Sequence, residues 1–169
     1  MTLLIRWWRV HFLLAELCLA VALATLFALW ASRFGGAGVV ATTLKGNRAA
    51  IYGALASIFG SLLGFTLAAV SIVLGYATEG RLGLLRDSKH YATLWRVFVS
   101  SMHALAAASV AALVGLIVDR DAAPAPLILY VCVGTTALAI FRIARCLWVF
   151  EQVIELVTAT SKSPRDSLP

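Results

Sequence analysis

Apolar residues occur in four long runs that are separated by short polar stretches. The runs cover residues 10–31, 51–76, 97–118 and 127–149, and most charged residues lie between them or at their ends. A helix needs about 20 apolar residues to cross the hydrocarbon core of a bilayer, so each run is long enough. No run shows the alternation of a membrane β-barrel strand. Because backbone polar groups must be hydrogen-bonded within lipid, we expect an all-α, polytopic membrane protein with a bundle of four transmembrane helices.

The composition agrees with this assignment and limits what else the chain can contain. Apolar residues make up 62% of the 169 residues and charged residues 13%, whereas soluble domains average about 45–50% and about 25%. We expect a single transmembrane domain over residues 1–160, with no room for a separate catalytic domain. The fourth helix is predicted to continue to about residue 158, and residues 161–169 are predicted to be a disordered cytoplasmic tail.

The first run resembles a signal peptide at its start, because Arg6 and Arg9 precede it. It is longer than the usual apolar segment of a signal peptide, and its end, residues 28–32, lacks a site of the A-x-A type. We therefore expect it to be an uncleaved membrane anchor.

The basic residues predict the orientation. With a cytoplasmic N-terminus, ten of the 14 Lys and Arg residues are cytoplasmic: Arg6, Arg9, Arg81, Arg86, Lys89, Arg96, Arg142, Arg145, Lys162 and Arg165. The other side then has Arg33, Lys45, Arg48 and Arg120. Cytoplasmic loops are enriched in basic residues, so both termini are predicted to be cytoplasmic, in a membrane of the bacterial inner-membrane type.

Charge and motifs argue against several other functions. The net charge of +6 comes from residues at helix ends, which indicates topology signals and contact with anionic lipid rather than nucleic-acid binding. The three cysteines show neither a disulfide framework nor a zinc-site spacing. The chain lacks H-E-x-x-H, G-x-S-x-G and P-loop motifs, so we expect no enzyme activity, no cofactor and no metal.

Small residues follow one face of the second and third spans at steps of three and four. The candidates for helix packing are Gly53, Ser57, Gly60, Gly64, Ala68 and Ser71 in span two, and Ala104, Ala108, Ala111 and Gly115 in span three. Small residues let helices approach closely in lipid. Two interpretations stay open: the rows pack against each other within one subunit, or one of them faces another subunit.

Five polar residues lie at membrane depth or beside it, all towards the predicted cytoplasmic side: Glu16, Arg96, His103, Arg142 and Arg145. A charge at the bilayer centre costs at least ~2.5–3.5 kcal/mol, so these side chains should face away from lipid. An ion pair between Glu16 and one of the arginines would reduce that cost. The alternatives are structural pairing with snorkelling arginines, or a hydrated path.

The leading functional hypothesis is a homo-oligomeric channel or membrane-permeabilising effector with these five residues as its pore candidates. Arginines in a pore favour anions over cations. A cytosolic protein partner is expected to dock on the loop 78–90 and on the helix extension 146–158. The alternatives are a non-conducting membrane anchor or assembly subunit, and a small dimeric transporter.

Overall fold

The computed structural model describes residues 2–77 and 91–161, and this part of the chain is helical apart from short connections. The helices are α1 (Thr2–Arg33), α2 (Gly36–Leu44), α3 (Arg48–Ala77), α4 (Tyr91–Val118) and α5 (Pro126–Ser161). Four of them, α1, α3, α4 and α5, are long and apolar enough to cross a membrane. The predicted all-α fold, with four helices long and apolar enough to span a membrane, is confirmed. The loop 78–90 and the tail after residue 161 lie outside the described residues.

The helices extend beyond the predicted apolar runs. The apolar part of α1 begins near residue 10, but the helix begins at Thr2. The last helix contains 36 residues and is about 54 Å long, well beyond the ~30 Å of a hydrocarbon core. Helical hydrogen bonds form between backbone groups, so a helix does not end where its apolar residues end. We therefore expect α1 and α5 each to extend past the bilayer.

The connection between α1 and α3 contains a short helix that the sequence pattern does not predict. Gly35 has φ of 71° and Gly46 has φ of 77°, so each end of α2 is a turn with left-handed backbone. At Gly36, a Cβ atom would lie 2.7 Å from the ring of Trp30. Glycine at this position therefore lets α2 pack on the end of α1.

The spanning helices form an open layer in which α3, α4, α5 and α1 follow one another in space. The first helix packs on the last one. Ala20 of α1 is buried, and a Cβ atom at Gly134 of α5 would lie 3.2 Å from Ala24, so small residues bring these two helices together. Helix α4 is the most enclosed, with 33% of its apolar segment buried against 11–17% for the others.

The apolar core lies between α3, α4 and α5. Phe59, Leu105, Ala108 and Ala139 are buried against each other there. Away from this core, large apolar side chains face outward, including Leu26, Phe65, Ile117 and Leu127 at 62–73% exposure. A soluble monomer rarely exposes so much apolar surface, whereas lipid or another subunit covers it without cost.

The helices alternate in direction, so α1 begins at the end of the layer where α5 finishes. Leu13 and Glu16 of α1 lie beside Arg142 and Arg145 of α5. At the opposite end, Arg48 at the start of α3 meets Asp119, which follows α4. We refer to these two ends as the Glu16 end and the Asp119 end.

Candidate functional site

Three charged side chains meet between α1 and α5 and form what we call the Glu16 cluster: Glu16, Arg142 and Arg145. The Nε–H of Arg145 donates a hydrogen bond to Oε1 of Glu16. The Nε atom of Arg142 lies 3.1 Å from Oε2 of Glu16. This second contact is an ion pair without hydrogen-bond alignment, since neither atom has a hydrogen-bond partner among the described residues. The carboxylate and Arg142 are both buried, at 6% and 8% exposure.

Arg142 links three helices through its guanidinium group. One Nη atom donates to the carbonyl oxygen of Leu13 in α1 at 2.9 Å. The other donates to the hydroxyl of Ser100 in α4. The backbone carbonyl of Arg142 also accepts a hydrogen bond of 3.0 Å from the hydroxyl of Ser101. Arg142 is thus held from α1 and from α4, which makes it a bracing residue within one chain.

Arg145 is fixed by an aromatic ring as well as by Glu16. Its guanidinium carbon lies 4.3 Å from the centre of the Phe12 ring, which is within the range of a cation–π contact. Two guanidinium groups therefore share one carboxylate, and the cluster keeps one positive charge. Pairing reduces the cost of burying these charges but leaves a local positive potential.

A groove with several basic and polar side chains in its walls opens on the surface between α4 and α5, next to the Glu16 cluster. It has a volume of about 730 Å³. We call it the basic groove. Its walls are formed by Trp95, Arg96, Val99, Ser100, His103, Ala104, Ala107, Leu138 and Arg142. Arg96 and His103 are exposed in it. Three of the five predicted polar residues therefore line one groove, while Glu16 and Arg145 lie in the neighbouring cluster.

His103 is exposed in the basic groove, further along α4 than Arg96. Its Nδ1 is 2.8 Å from the carbonyl oxygen of Val99, and because a carbonyl only accepts, Nδ1 must carry the hydrogen. His103 lies seven residues beyond Arg96 along α4, or about 10 Å further into the layer. Polar side chains therefore line the groove from near the N-terminal start of α4 into its apolar segment.

A second, apolar groove of about 350 Å³ runs between α1 and α5 on the same face. Val21 and Ala24 of α1 lie on one side, and Val131 and Gly134 of α5 on the other. Leu138 belongs to the walls of both grooves. The two grooves are therefore adjacent, and the surface changes from basic to apolar at Leu138.

A buried polar network at the opposite end was missed by the sequence reasoning. We call Arg48, Tyr52, Asp119 and Asp121 the Asp119 cluster. Both carboxylate oxygens of Asp119 accept hydrogen bonds from Arg48 Nη1, at 2.5 and 2.6 Å. Tyr52 donates to Asp119 Oδ2 at 2.6 Å, and the backbone N–H of Ala125 donates to Oδ1 at 2.7 Å. The network ties the start of α3 to the turn between α4 and α5.

Asp119 remains ionised although it is buried. Burial alone raises the pKa of Asp119, but the hydrogen bonds from Tyr52, from the Ala125 N–H and from Arg48, with the charge of Arg48, together lower it below the usual value. Asp121 adds a longer contact of 3.5 Å to Arg48 and accepts from the Gly46 N–H at 3.2 Å. The sequence did contain a signal for this pair, because Arg48 and Asp119 carry opposite charges at the same end of consecutive spans.

The two rows of small residues have different surroundings. In α4, Ala104, Ala108 and Gly115 are buried and Ala111 is half-buried. A Cβ atom at Gly115 would lie 2.6 Å from the Tyr52 ring, so this glycine gives Tyr52 its place. In α3, the candidates Ser57, Gly60, Gly64, Ala68 and Ser71 are exposed and Gly53 is half-buried. Within one chain, the α4 row is covered and the α3 row is largely open.

Comparison of the chain with family models, with curated proteins and with solved structures gives no match.

Proposed function

We propose that the protein is a homo-oligomeric membrane protein that lets small anions cross the bilayer along a path between its copies. The observation that supports this most directly is the basic groove on the lateral surface of one chain. Arg96 and His103 are exposed there, and both belong to α4, a helix that is apolar enough to span a membrane. Exposure of such groups to acyl chains is costly, so they are expected to face water or another subunit.

The positive charge around the groove favours anions. Arg96 contributes one charge, and the Glu16 cluster next to it retains another because two arginines share one carboxylate. Fixed positive charges in a narrow path attract anions and repel cations. In this proposal Arg96 and His103 line the path, whereas Glu16, Arg142 and Arg145 brace the helices beside it. The Glu16 end faces the cytoplasm of a bacterial inner membrane, and any cytosolic partner docks at that end.

Reconstitution tests this proposal in two measurements. Native mass spectrometry from lipid nanodiscs gives the number of copies, and chloride and potassium flux into liposomes gives conduction and selectivity. We expect an oligomer that conducts chloride better than potassium, and a lower chloride preference in Arg96→Gln. Arg33→Gln is the matched control, because Arg33 is an exposed arginine at the far end of α1. A strictly monomeric protein without flux at any voltage would contradict the proposal.

A second function, a non-conducting membrane anchor, is supported by a different observation. The Glu16 cluster is paired and buried within one chain, so its charges do not require a path. The flux measurement separates the two functions, because an anchor forms its complexes without moving ions.

A further inference from the structure

We infer that the basic groove and the apolar groove together form a binding site for an anionic phospholipid. The phosphate would lie against Arg96 and Ser100, and one acyl chain would pass Leu138 into the apolar groove between α1 and α5.

The charge around the groove suits a phosphodiester. Arg96 is exposed in the wall, and the Glu16 cluster behind Arg142 retains one positive charge. The groove walls contain no carboxylate among the described residues. Basic pockets between transmembrane helices are known to bind anionic headgroups, with about 1 kcal/mol contributed by each Lys or Arg near the membrane surface.

The depth of the groove suits the membrane interface. Trp95 and Arg96 lie about one turn after the start of α4 at Tyr91, and Trp and basic side chains are typical of the level at which helices meet the headgroups. The groove then continues inward past Ser100 to His103. A headgroup can thus bind Arg96 without leaving the depth at which phospholipid phosphates normally lie.

The apolar groove explains why the ligand is a lipid rather than a free anion. It begins at Leu138, where the basic groove ends, and its walls are almost entirely apolar. A free phosphate would leave this groove empty, whereas an acyl chain fills it. The amphipathic surface therefore matches a molecule with an anionic head and a hydrocarbon tail.

This inference concerns the regulation of the site in the proposed function, because a lipid lying in the groove would obstruct a path along it. Binding itself needs no conduction. Lipid retention is therefore measured on protein from nanodiscs of equal phosphatidylglycerol and phosphatidylcholine by native mass spectrometry. A wild-type protein that retains the lipid but conducts no ions would overturn only the proposed function. A wild-type protein that conducts ions but retains no phosphatidylglycerol would overturn only this inference.

We expect the wild-type chain to retain phosphatidylglycerol in preference to phosphatidylcholine. Arg96→Gln should weaken that retention about fivefold, the factor that corresponds to ~1 kcal/mol for one arginine near the surface. The control Arg33→Gln should leave it unchanged. Equal retention of the two lipids by the wild type, or equal behaviour of the two variants, would overturn the headgroup assignment.

The acyl-chain part has its own test. Val21 lines the apolar groove, and Val21→Trp should fill it and reduce retention without changing any charge. Leu23→Trp is the control, since Leu23 is exposed on α1 and is not part of the groove wall. Soluble glycerophosphoglycerol should not displace the lipid. Displacement by that headgroup alone, or no difference between the two tryptophan variants, would show an anion site without an acyl-chain groove.

Discussion

Replacement of Glu16 by glutamine removes the only carboxylate of the Glu16 cluster and leaves two buried or half-buried guanidinium groups without a counter-charge. Both arginines lie against this carboxylate, with the Arg142 Nε 3.1 Å from Oε2 and the Arg145 Nε hydrogen-bonded to Oε1. Removal of one partner from a buried ion pair costs about 3–5 kcal/mol, because the remaining charge stays buried. Glutamine keeps the size of the side chain, so the loss measures charge rather than packing.

We expect Glu16→Gln to lower the free energy of unfolding by about 3 kcal/mol, at the lower end of that range, because Arg145 can turn towards the surface. The side chain of Arg145 is 19% exposed, against 10% for that of Arg142. The assay is reversible unfolding in mixed micelles, followed by tryptophan fluorescence. The control is Glu151→Gln, because Glu151 is an exposed glutamate of the same helix, α5.

A double variant sharpens this measurement. Glu16→Gln with Arg145→Gln leaves one buried arginine instead of two, so its cost should be smaller than the sum of the two single costs. If Glu16→Gln costs no more than Glu151→Gln, the charges of the cluster are not desolvated, and the bracing role assigned to Glu16, Arg142 and Arg145 is wrong.

Two further predictions concern the Asp119 end. The folded pKa of Asp119 lies below its unfolded value of about 3.9, so its contribution to stability is complete above that value and is lost as the pH falls through the folded pKa. The free energy of unfolding, measured from pH 2 to 6, should therefore depend less on pH in Asp119→Asn than in the wild type. An unchanged pH dependence would contradict the buried ion pair. Gly115→Val should lower the free energy of unfolding by about 1–3 kcal/mol, because a Cβ atom at this position would lie 2.6 Å from the Tyr52 ring. The control is Gly64→Val, which should retain the monomer fold because Gly64 has open space around it. Equal losses of stability in the two variants would refute the Tyr52 contact.

Much of the polar arrangement at the Glu16 end could be predicted from helical spacing alone. The step of three from Arg142 to Arg145 places both on neighbouring rows of α5, and the cost of a charge in lipid requires a partner for Glu16. Spacing did not decide which arginine pairs with it. Arg142 and Arg145 do so because α1 packs on α5, while Arg96 lies on the groove side of α4.

The Asp119 cluster and α2 show a different limit. Arg48 and Asp119 are separated by 71 positions in the chain, and each by itself is typical of a charged residue that bounds a span. Only the contact of α3 with α4 places them at hydrogen-bond distance. Helix α2 contains nine residues, too few for a helix that is stable by itself, so its helical form depends on packing against α1.

The sequence by itself determined the number of spanning helices, their approximate bounds and the end of the layer at which most intramembrane charges lie, because apolar length and charge position are local properties. Only the tertiary structure decided the order of helices in the layer, the partners of Glu16, the Asp119 network and the position of two grooves on one face. These features depend on which surfaces fit together across long distances in the chain. A hydrophobic pattern shows that a helix face avoids water, but in a chain that is apolar on almost every face it does not show which neighbour covers it.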